Sequence, residues 1–149
     1  MTTTTSAGTT WYISAGVPAS QTDAGFAALT YTKVGGVESL GPIGPTTGVV
    51  SFVPLDGPTE KHKGATNYGT LNPPMAYDGD DAGQNIVRAA AEPENNALYA
   101  NKVIYPTGEV RYFQARIFGF PENVGARESM LMANPIVEIC TKPIRVDAP

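Results

Sequence analysis

Apolar and polar residues alternate along much of the chain, a pattern typical of half-buried β-strands. In the opening run 10–15, the apolar Trp11 and Ile13 alternate with more polar neighbours. A run from 26 to 34 shows the same alternation, and Gly35 and Gly36 after it predict a bend or bulge. The other predicted strands are 37–40, 49–53, 60–66, 69–77, 98–105, 110–118 and 128–141, with 98–105 and 110–118 forming a hairpin.

One segment, 81–91, carries a helical pattern instead. Its apolar residues recur at four-residue spacing. Asp81 is placed to cap this helix, and Gln84, three residues later, completes a capping box. Pro93 cannot continue a helix, so we expect the helix to end before it.

The chain has 149 residues, which suits a single domain. Its 16 glycines and 13 prolines favour strands and turns over helices. We expect a mobile, threonine-rich N-terminal arm at 1–9 and a short C-terminal tail at 142–149. Pro73, Pro74 and Pro135 interrupt predicted strands, so the bounds of those strands are the least defined.

A long stretch between predicted strands, 41–58, is rich in glycine and proline. A loop of this length in a compact domain is usually functional or disordered. Its apolar side chains argue against disorder, because they need a surface on which to pack. These side chains are Ile43, Val49, Val50, Phe52 and Leu55.

Charge narrows the possible partners. Only 16% of the residues are charged, and the net charge is −4. The acidic excess lies in 78–96, where helix capping accounts for most of it. Binding of nucleic acid through its phosphates needs clustered basic residues, so we do not expect it here. Because Cys140 is the single cysteine, no internal disulfide can form. The sequence shows neither a signal peptide nor a membrane-spanning run, so we expect synthesis in the cytoplasm.

Each catalytic or metal-binding motif that the sequence suggests is incomplete. His62 is the only histidine, and no Gly-x-Ser-x-Gly motif is present. A calcium-like start at Asp78 has Ala89 where the twelfth residue should be glutamate. Gly36 and Gly41 have the spacing of a phosphate-binding loop, but Pro42 stands where such a loop requires lysine. The sequence therefore predicts no enzyme, no catalytic residue, no metal site and no cofactor.

Several segments resemble one family of viral proteins. They are TTWYISA at 9–15, GFAALTYTKVGGVESLG at 25–41, KGATNYGT at 63–70, DDAGQNIVRAAA at 80–91 and YPTGEVRYFQARI at 105–117. Together they resemble the tail tube proteins, or major tail proteins, of long-tailed non-contractile bacteriophages. The resemblance spans roughly 9–141.

This resemblance implies a mainly β fold, a β-sandwich of two antiparallel sheets flanked by one α-helix. It also implies that six subunits close into a ring with a continuous inner β-barrel, and that hexameric rings stack into the tail tube. The tube would be the conduit for genomic DNA, which passes without specific binding. Its other expected partners are the tape measure, tail terminator and distal tail proteins, with no membrane contact and a location in the virion.

We hypothesise that the 41–58 loop reaches the neighbouring ring and forms the ring-stacking interface. The interface residues would be Ile43, Val49, Val50, Phe52 and Leu55. Alternatively, the loop folds back on its own domain. Two further functions stay open: the tube of a contractile tail or phage-derived injection device, and a monomeric ligand-binding module. The module would expose an aromatic patch drawn from Trp11, Tyr68, Tyr77 and Tyr99.

Overall fold

The computed structural model describes residues 3–148 and is mainly β, as the sequence predicts. Its regular elements within this range are twelve strands and two helices. The strands are β1 (Thr10–Ser14), β2 (Thr32–Lys33), β3 (Thr46–Phe52), β4 (Glu60–Asn67), β5 (Thr70–Leu71), β6 (Met75–Ala76), β7 (Tyr99–Ile104), β8 (Val110–Gly119), β9 (Glu122–Asn123), β10 (Met132–Ala133), β11 (Ile136–Ile139) and β12 (Ile144–Val146). The helices are α1 (Asp23–Ala27) and α2 (Ala82–Ala90).

A seven-stranded antiparallel sheet forms the body of the molecule. Its strand order is β2-β1-β7-β8-β11-β5, and β12 pairs with β8 beside β11. The β7–β8 hairpin runs in register from Tyr99 opposite Ala115 to Ile104 opposite Val110. This hairpin and the opening strand β1 confirm the sequence-based predictions for those segments.

Two smaller sheets complete the fold. β6, β10 and β9 form a three-stranded sheet in that order, and β3 and β4 pair only with each other. Two sheets and one helix were expected, so the described residues hold one sheet and one helix more than the sequence predicts. Met75 of β6 and Ala133 of β10 are buried in the same core cluster as Phe113 of β8, so the two larger sheets share one core.

Helix α2 closes that core over the large sheet. Val87 and Ala90 on its inner face are buried in the cluster that contains Trp11 and Ile13 of β1. The helix lies very close to the neighbouring backbone at Gly83. A Cβ at this position would overlap the Lys33 carbonyl oxygen and lie 2.6 Å from the Val34 Cα. Glycine is therefore required there by close approach, since no side chain fits.

The predicted strand 26–34 is wrong over most of its length. Thr22 caps a short helix by accepting a hydrogen bond from the Gly25 amide through its hydroxyl. Alanine favours helices more than any other residue, and the segment DAGFAA combines that preference with an N-cap. Only Thr32–Lys33 forms a strand. Local capping therefore overrides the alternating pattern.

Four other predicted bounds also need correction. The predicted strand 128–141 contains two strands, β10 and β11, which lie on either side of Pro135 in different sheets. The segment 37–40 makes a single bridge, between Val37 and Met75, instead of a strand. Prolines 73 and 74 divide the predicted strand 69–77 into β5 and β6, because proline cannot donate a hydrogen bond to a sheet. The predicted tail 142–149 contains β12, which pairs with the first residues of β8. The arm predicted at 1–9 lies partly outside the described residues.

The opposite face of the large sheet carries a second, smaller apolar cluster. Phe26 of α1 stacks on Tyr112 of β8 with ring centroids 5.5 Å apart. The Tyr31 hydroxyl donates a hydrogen bond to the Phe26 carbonyl oxygen. Burial raises the pKa of both Tyr31 and Tyr112 above the ordinary value for tyrosine. Helix α1 is thus held to the sheet mainly by aromatic packing.

Because of the close approach at Gly83, we predict that replacing this glycine by alanine destabilises the fold, whereas the same substitution in an open helix stabilises it. In an open helix, Gly→Ala stabilises by about 1 kcal/mol. We expect Gly83→Ala instead to destabilise the fold by roughly 1–3 kcal/mol, because the backbone must move to admit the methyl group. Urea denaturation followed by circular dichroism measures this difference. Gly79→Ala is the control, since its Cβ would meet nothing closer than 3.5 Å, and equal effects of the two substitutions would contradict the prediction.

Candidate functional site

The β3–β4 hairpin stands apart from the body. Its register runs from Thr46 opposite Asn67 to Phe52 opposite Glu60, with a shift between Thr47 and Val49. All seven residues of β3 are exposed, and so is every residue of β4 except Gly64, which is half-buried. Within residues 3–148, neither strand pairs with any other strand. The hairpin is therefore a projecting element.

The two faces of this hairpin differ in chemistry. Paired residues of adjacent strands point to the same side of a sheet. On one side, which we call the lysine face, Val49 lies opposite Lys63 and Ser51 lies opposite Lys61. On the other side, the phenylalanine face, the pairs are Val50 with His62 and Phe52 with Glu60. Each face thus combines apolar and charged or polar side chains.

Large apolar side chains on the hairpin and its turn are open to solvent. The exposed fractions are 68% for Val49, 55% for Val50, 58% for Phe52 and 109% for Leu55. Val53 is exposed as well. Ile43, the fifth residue of the predicted interface, lies elsewhere: it is half-buried and packs against the main core. Four of the five predicted residues are thus brought together on one projecting element, whereas the start of the 41–58 segment packs on its own domain through Ile43.

The strand inside the predicted loop begins earlier than expected. The sequence predicts pairing at 49–53, whereas β3 begins at Thr46. Threonine favours strands, and the Thr47 and Thr66 hydroxyls lie 3.2 Å apart across the hairpin, within hydrogen-bond distance. Gly64 allows the strands to approach, because a Cβ there would lie 2.9 Å from a Val50 methyl group. The glycines and prolines around 54–58 form the turn rather than a flexible loop.

A second projecting segment was missed by the sequence analysis. β9 and β10 pair antiparallel and are joined by residues 124–131. Every residue from 121 to 131 is exposed, including Val124 at 81% and Met130 at 69%. We call 122–133 the short hairpin. The sequence indicates a turn-rich connection at 120–126, which contains Val124, and a strand at 128–141, which contains Met130 and Leu131, whereas 124–131 joins β9 to β10.

The helix cap forms, but not as a complete capping box. A carboxylate oxygen of Asp81 accepts hydrogen bonds from the Gln84 amide at 3.0 Å and from the Gly35 amide at 3.1 Å. Gln84 is fully buried, and its side chain does not return to Asp81. Instead it donates to the carbonyl oxygens of Gly35 and Ala76 and accepts from the Asp78 amide. Both residues therefore join α2 to segments distant in sequence.

No cluster of three or more His, Cys, Asp or Glu residues that could hold a metal ion occurs within 3–148. Over the same range, neither helix is long and apolar enough to cross a membrane. The aromatic patch expected for a binding module does not form, because Trp11 and Tyr99 are buried and Tyr68 and Tyr77 pack against the core. The two hairpins carry most of the large apolar side chains that the described residues expose.

No protein-family model and no curated protein matches the chain. Solved structures are similar in fold. A chain in the cryo-EM structure of the anti-feeding prophage (AFP) baseplate, symmetrised six-fold, matches with a TM-score of 0.71 at 8% identity. The match covers 99% of this chain and 97% of that one.

A second similar structure comes from a contractile particle. It is a chain in the cryo-EM structure of an extracellular contractile injection system, the PVC sheath/tube terminator in the extended state. The TM-score is 0.62 at 8% identity, and the match covers 91% of this chain and 92% of that one. The chain therefore has a phage-tail-like fold over nearly its whole length. Neither match distinguishes the tube of a non-contractile phage, the family that the sequence resembles.

The buried amide of Gln84 gives a testable prediction. Gln84→Leu would keep the side-chain volume similar but leave the Gly35 and Ala76 carbonyl oxygens without their donor. We expect the free energy of unfolding to fall by at least about 2 kcal/mol, since unsatisfied buried polar groups cost about 1–3 kcal/mol each. Asn85→Leu changes the same chemistry at the next, exposed position and should shift it by no more than about 0.5 kcal/mol. Equal losses in the two variants would show that the hydrogen bonds of Gln84 contribute nothing specific.

Proposed function

We propose that this chain is a structural subunit that assembles into stacked rings, forming the tube of a phage tail or of a phage-derived injection particle. The observation that carries the proposal is the projecting β3–β4 hairpin, which exposes apolar side chains on both faces. A neighbouring copy that receives the hairpin would bury them. The phage-tail-like fold supports the same conclusion.

The free energy available at this hairpin is substantial. Full burial of a Val, Leu or Phe side chain contributes roughly 1.5–3 kcal/mol. A two-stranded hairpin alone in water is marginally stable at best, so this element gains most from a partner. Val50 and Phe52 on the phenylalanine face, with Leu55 at the turn, would lie against the neighbouring ring. Ile43 is excluded from this contact surface because it belongs to the main core.

Ring closure would satisfy the edges of the large sheet. Its two end strands, β2 and β5, have only two residues each. Very short edge strands limit unspecific pairing, while still offering hydrogen-bonding groups to one defined neighbour. A head-to-tail contact between different surfaces of the same chain forms a ring when its rotation closes. Six subunits per ring is our proposal, in keeping with the six-fold symmetry of the baseplate that contains a similar chain.

Two kinds of particle fit a tube subunit. The sequence resemblance favours a non-contractile phage tail, in which the tube would hold the tape measure protein, carry DNA during ejection and contact terminator and distal tail proteins. The structural similarity favours a contractile injection system, since one similar chain comes from a sheath/tube terminator. In both cases the role is structural and not enzymatic, and the protein is part of an extracellular particle.

We predict that a substitution in the hairpin can prevent assembly without changing the stability of the folded chain. Phe52→Asp places a charge where the proposed interface is apolar, and burial of an unpaired charge is strongly unfavourable. We therefore expect Phe52→Asp to abolish tubes in negative-stain electron microscopy of the concentrated protein. Because Phe52 is exposed in the single chain, the free energy of unfolding should change by no more than about 0.5 kcal/mol.

Val17→Asp is the matched control, since Val17 is also a highly exposed apolar residue but lies outside the hairpin. It should assemble like the unchanged protein. Tubes of normal length formed by Phe52→Asp would show that the hairpin is not the stacking element. A protein that stays monomeric at high concentration in its unchanged form would contradict the proposed function itself.

A further inference from the structure

The hairpin has a second face that stacking through Val50 and Phe52 does not cover. On the lysine face, Val49 is 68% exposed and lies beside Lys63, and Lys61 lies beside Ser51. An inserted hairpin with two apolar faces needs a surface on each side. A matching surface would combine exposed apolar side chains with negative charge.

The short hairpin, 122–133, has both properties. Val124 and Met130 supply exposed apolar surface. Glu122 and Glu128 are exposed, and Arg127 between them leaves a net negative charge. On the lysine face the charged side chains are both positive, because Glu60 lies on the opposite face. Among residues 3–148, none of these lysines and glutamates takes part in an ion pair.

The short hairpin also offers an unpaired strand edge. β9 is the last strand in the order β6-β10-β9, so one of its edges has no strand partner within the part of the chain that is described. A projecting strand can add to such an edge and supply main-chain hydrogen bonds. The β3–β4 hairpin also has free outer edges, since its two strands pair only with each other. β3 alone spans about 23 Å at 3.3 Å per residue, far enough to reach across a subunit boundary.

We infer that the lysine face of the β3–β4 hairpin docks on the short hairpin of a second copy of this chain. Val49 then lies against Val124 and Met130, and Lys61 and Lys63 lie near Glu122 and Glu128. The contact joins two different surfaces and is head-to-tail, so it propagates from one copy to the next. This inference rests on the proposed function, and it names the partner surface of the stacking element.

A cysteine pair tests the contact directly. In a Cys140→Ser background, Val49→Cys with Val124→Cys places one thiol on each surface. A disulfide requires Cβ atoms about 3.5–4.5 Å apart, so it forms only between surfaces in contact. After mild oxidation of assembled protein, we expect a ladder of cross-linked multimers on a non-reducing gel. Val49→Cys with Val17→Cys is the matched control, because Val17 is equally accessible but lies in neither hairpin, and it should stay mainly monomeric.

The outcomes distinguish a failure of this inference from a failure of the proposed tube function. Tubes that form without a ladder, or with a disulfide inside one chain only, overturn this inference but leave the tube function standing. Failure of the unchanged protein to assemble overturns both. A ladder as strong in the control pair as in the test pair also overturns the inference, because it shows random collision.

A charge exchange provides a second, independent measurement. Lys61→Glu with Lys63→Glu should stop assembly through repulsion by Glu122 and Glu128, and Glu122→Lys with Glu128→Lys should stop it as well. The combined four-fold variant should recover tubes, measured as the pelleted fraction after ultracentrifugation. All four charged side chains are exposed in the single chain, so circular dichroism should show that every variant folds. A folded four-fold variant that stays unassembled contradicts the inference.

Discussion

The buried amide of Gln84 is the interaction on which the arrangement of the body depends. It joins α2 to the bend at Gly35 and to Ala76 of β6, three segments that the chain brings together from distant positions. The helix can approach this closely only because residue 83 has no side chain. The hydrogen bonds of this one buried side chain thereby fix the helix over the large sheet and align the smaller sheet beside it.

A rigid body of this kind gives the projecting hairpin a fixed origin. β4 leads through Tyr68, which packs on the core, into β5 of the large sheet. The base of the hairpin is thus anchored while its strands stay free. A binding element that is already ordered loses less conformational entropy on association than a disordered loop does. Preorganisation therefore makes the exposed apolar residues more effective in assembly.

The sequence predicted what depends on local or strictly periodic patterns. The β7–β8 hairpin, the opening strand and α2 follow from alternation, turn residues and capping in adjacent positions. The segment 23–27 carries local helix signals, the Thr22 cap and its alanines, but the alternation over 26–34 indicates a strand at the same place. The contact of Phe26 with Tyr112, which is distant in sequence, adds support for the helix that the sequence does not display. Of the candidate site, the apolar residues of 49–55 were visible in the sequence. Their separation from Ile43 and their proximity to Lys61 and Lys63 were not, since pairing across β3 and β4 determines both.

Most of the large apolar side chains that the described residues expose lie on the two hairpins. A soluble monomer gains nothing from exposing Val49, Phe52, Leu55 and Val124, and large exposed apolar patches usually mark interaction sites. Residues that served only the fold of one chain would lie in its core, whereas these lie on its surface. Their placement on ordered, projecting strands fits the proposed assembly, in which neighbouring copies cover them. The lysines and glutamates beside them then limit which surfaces can meet, because apolar contact alone does not select a partner.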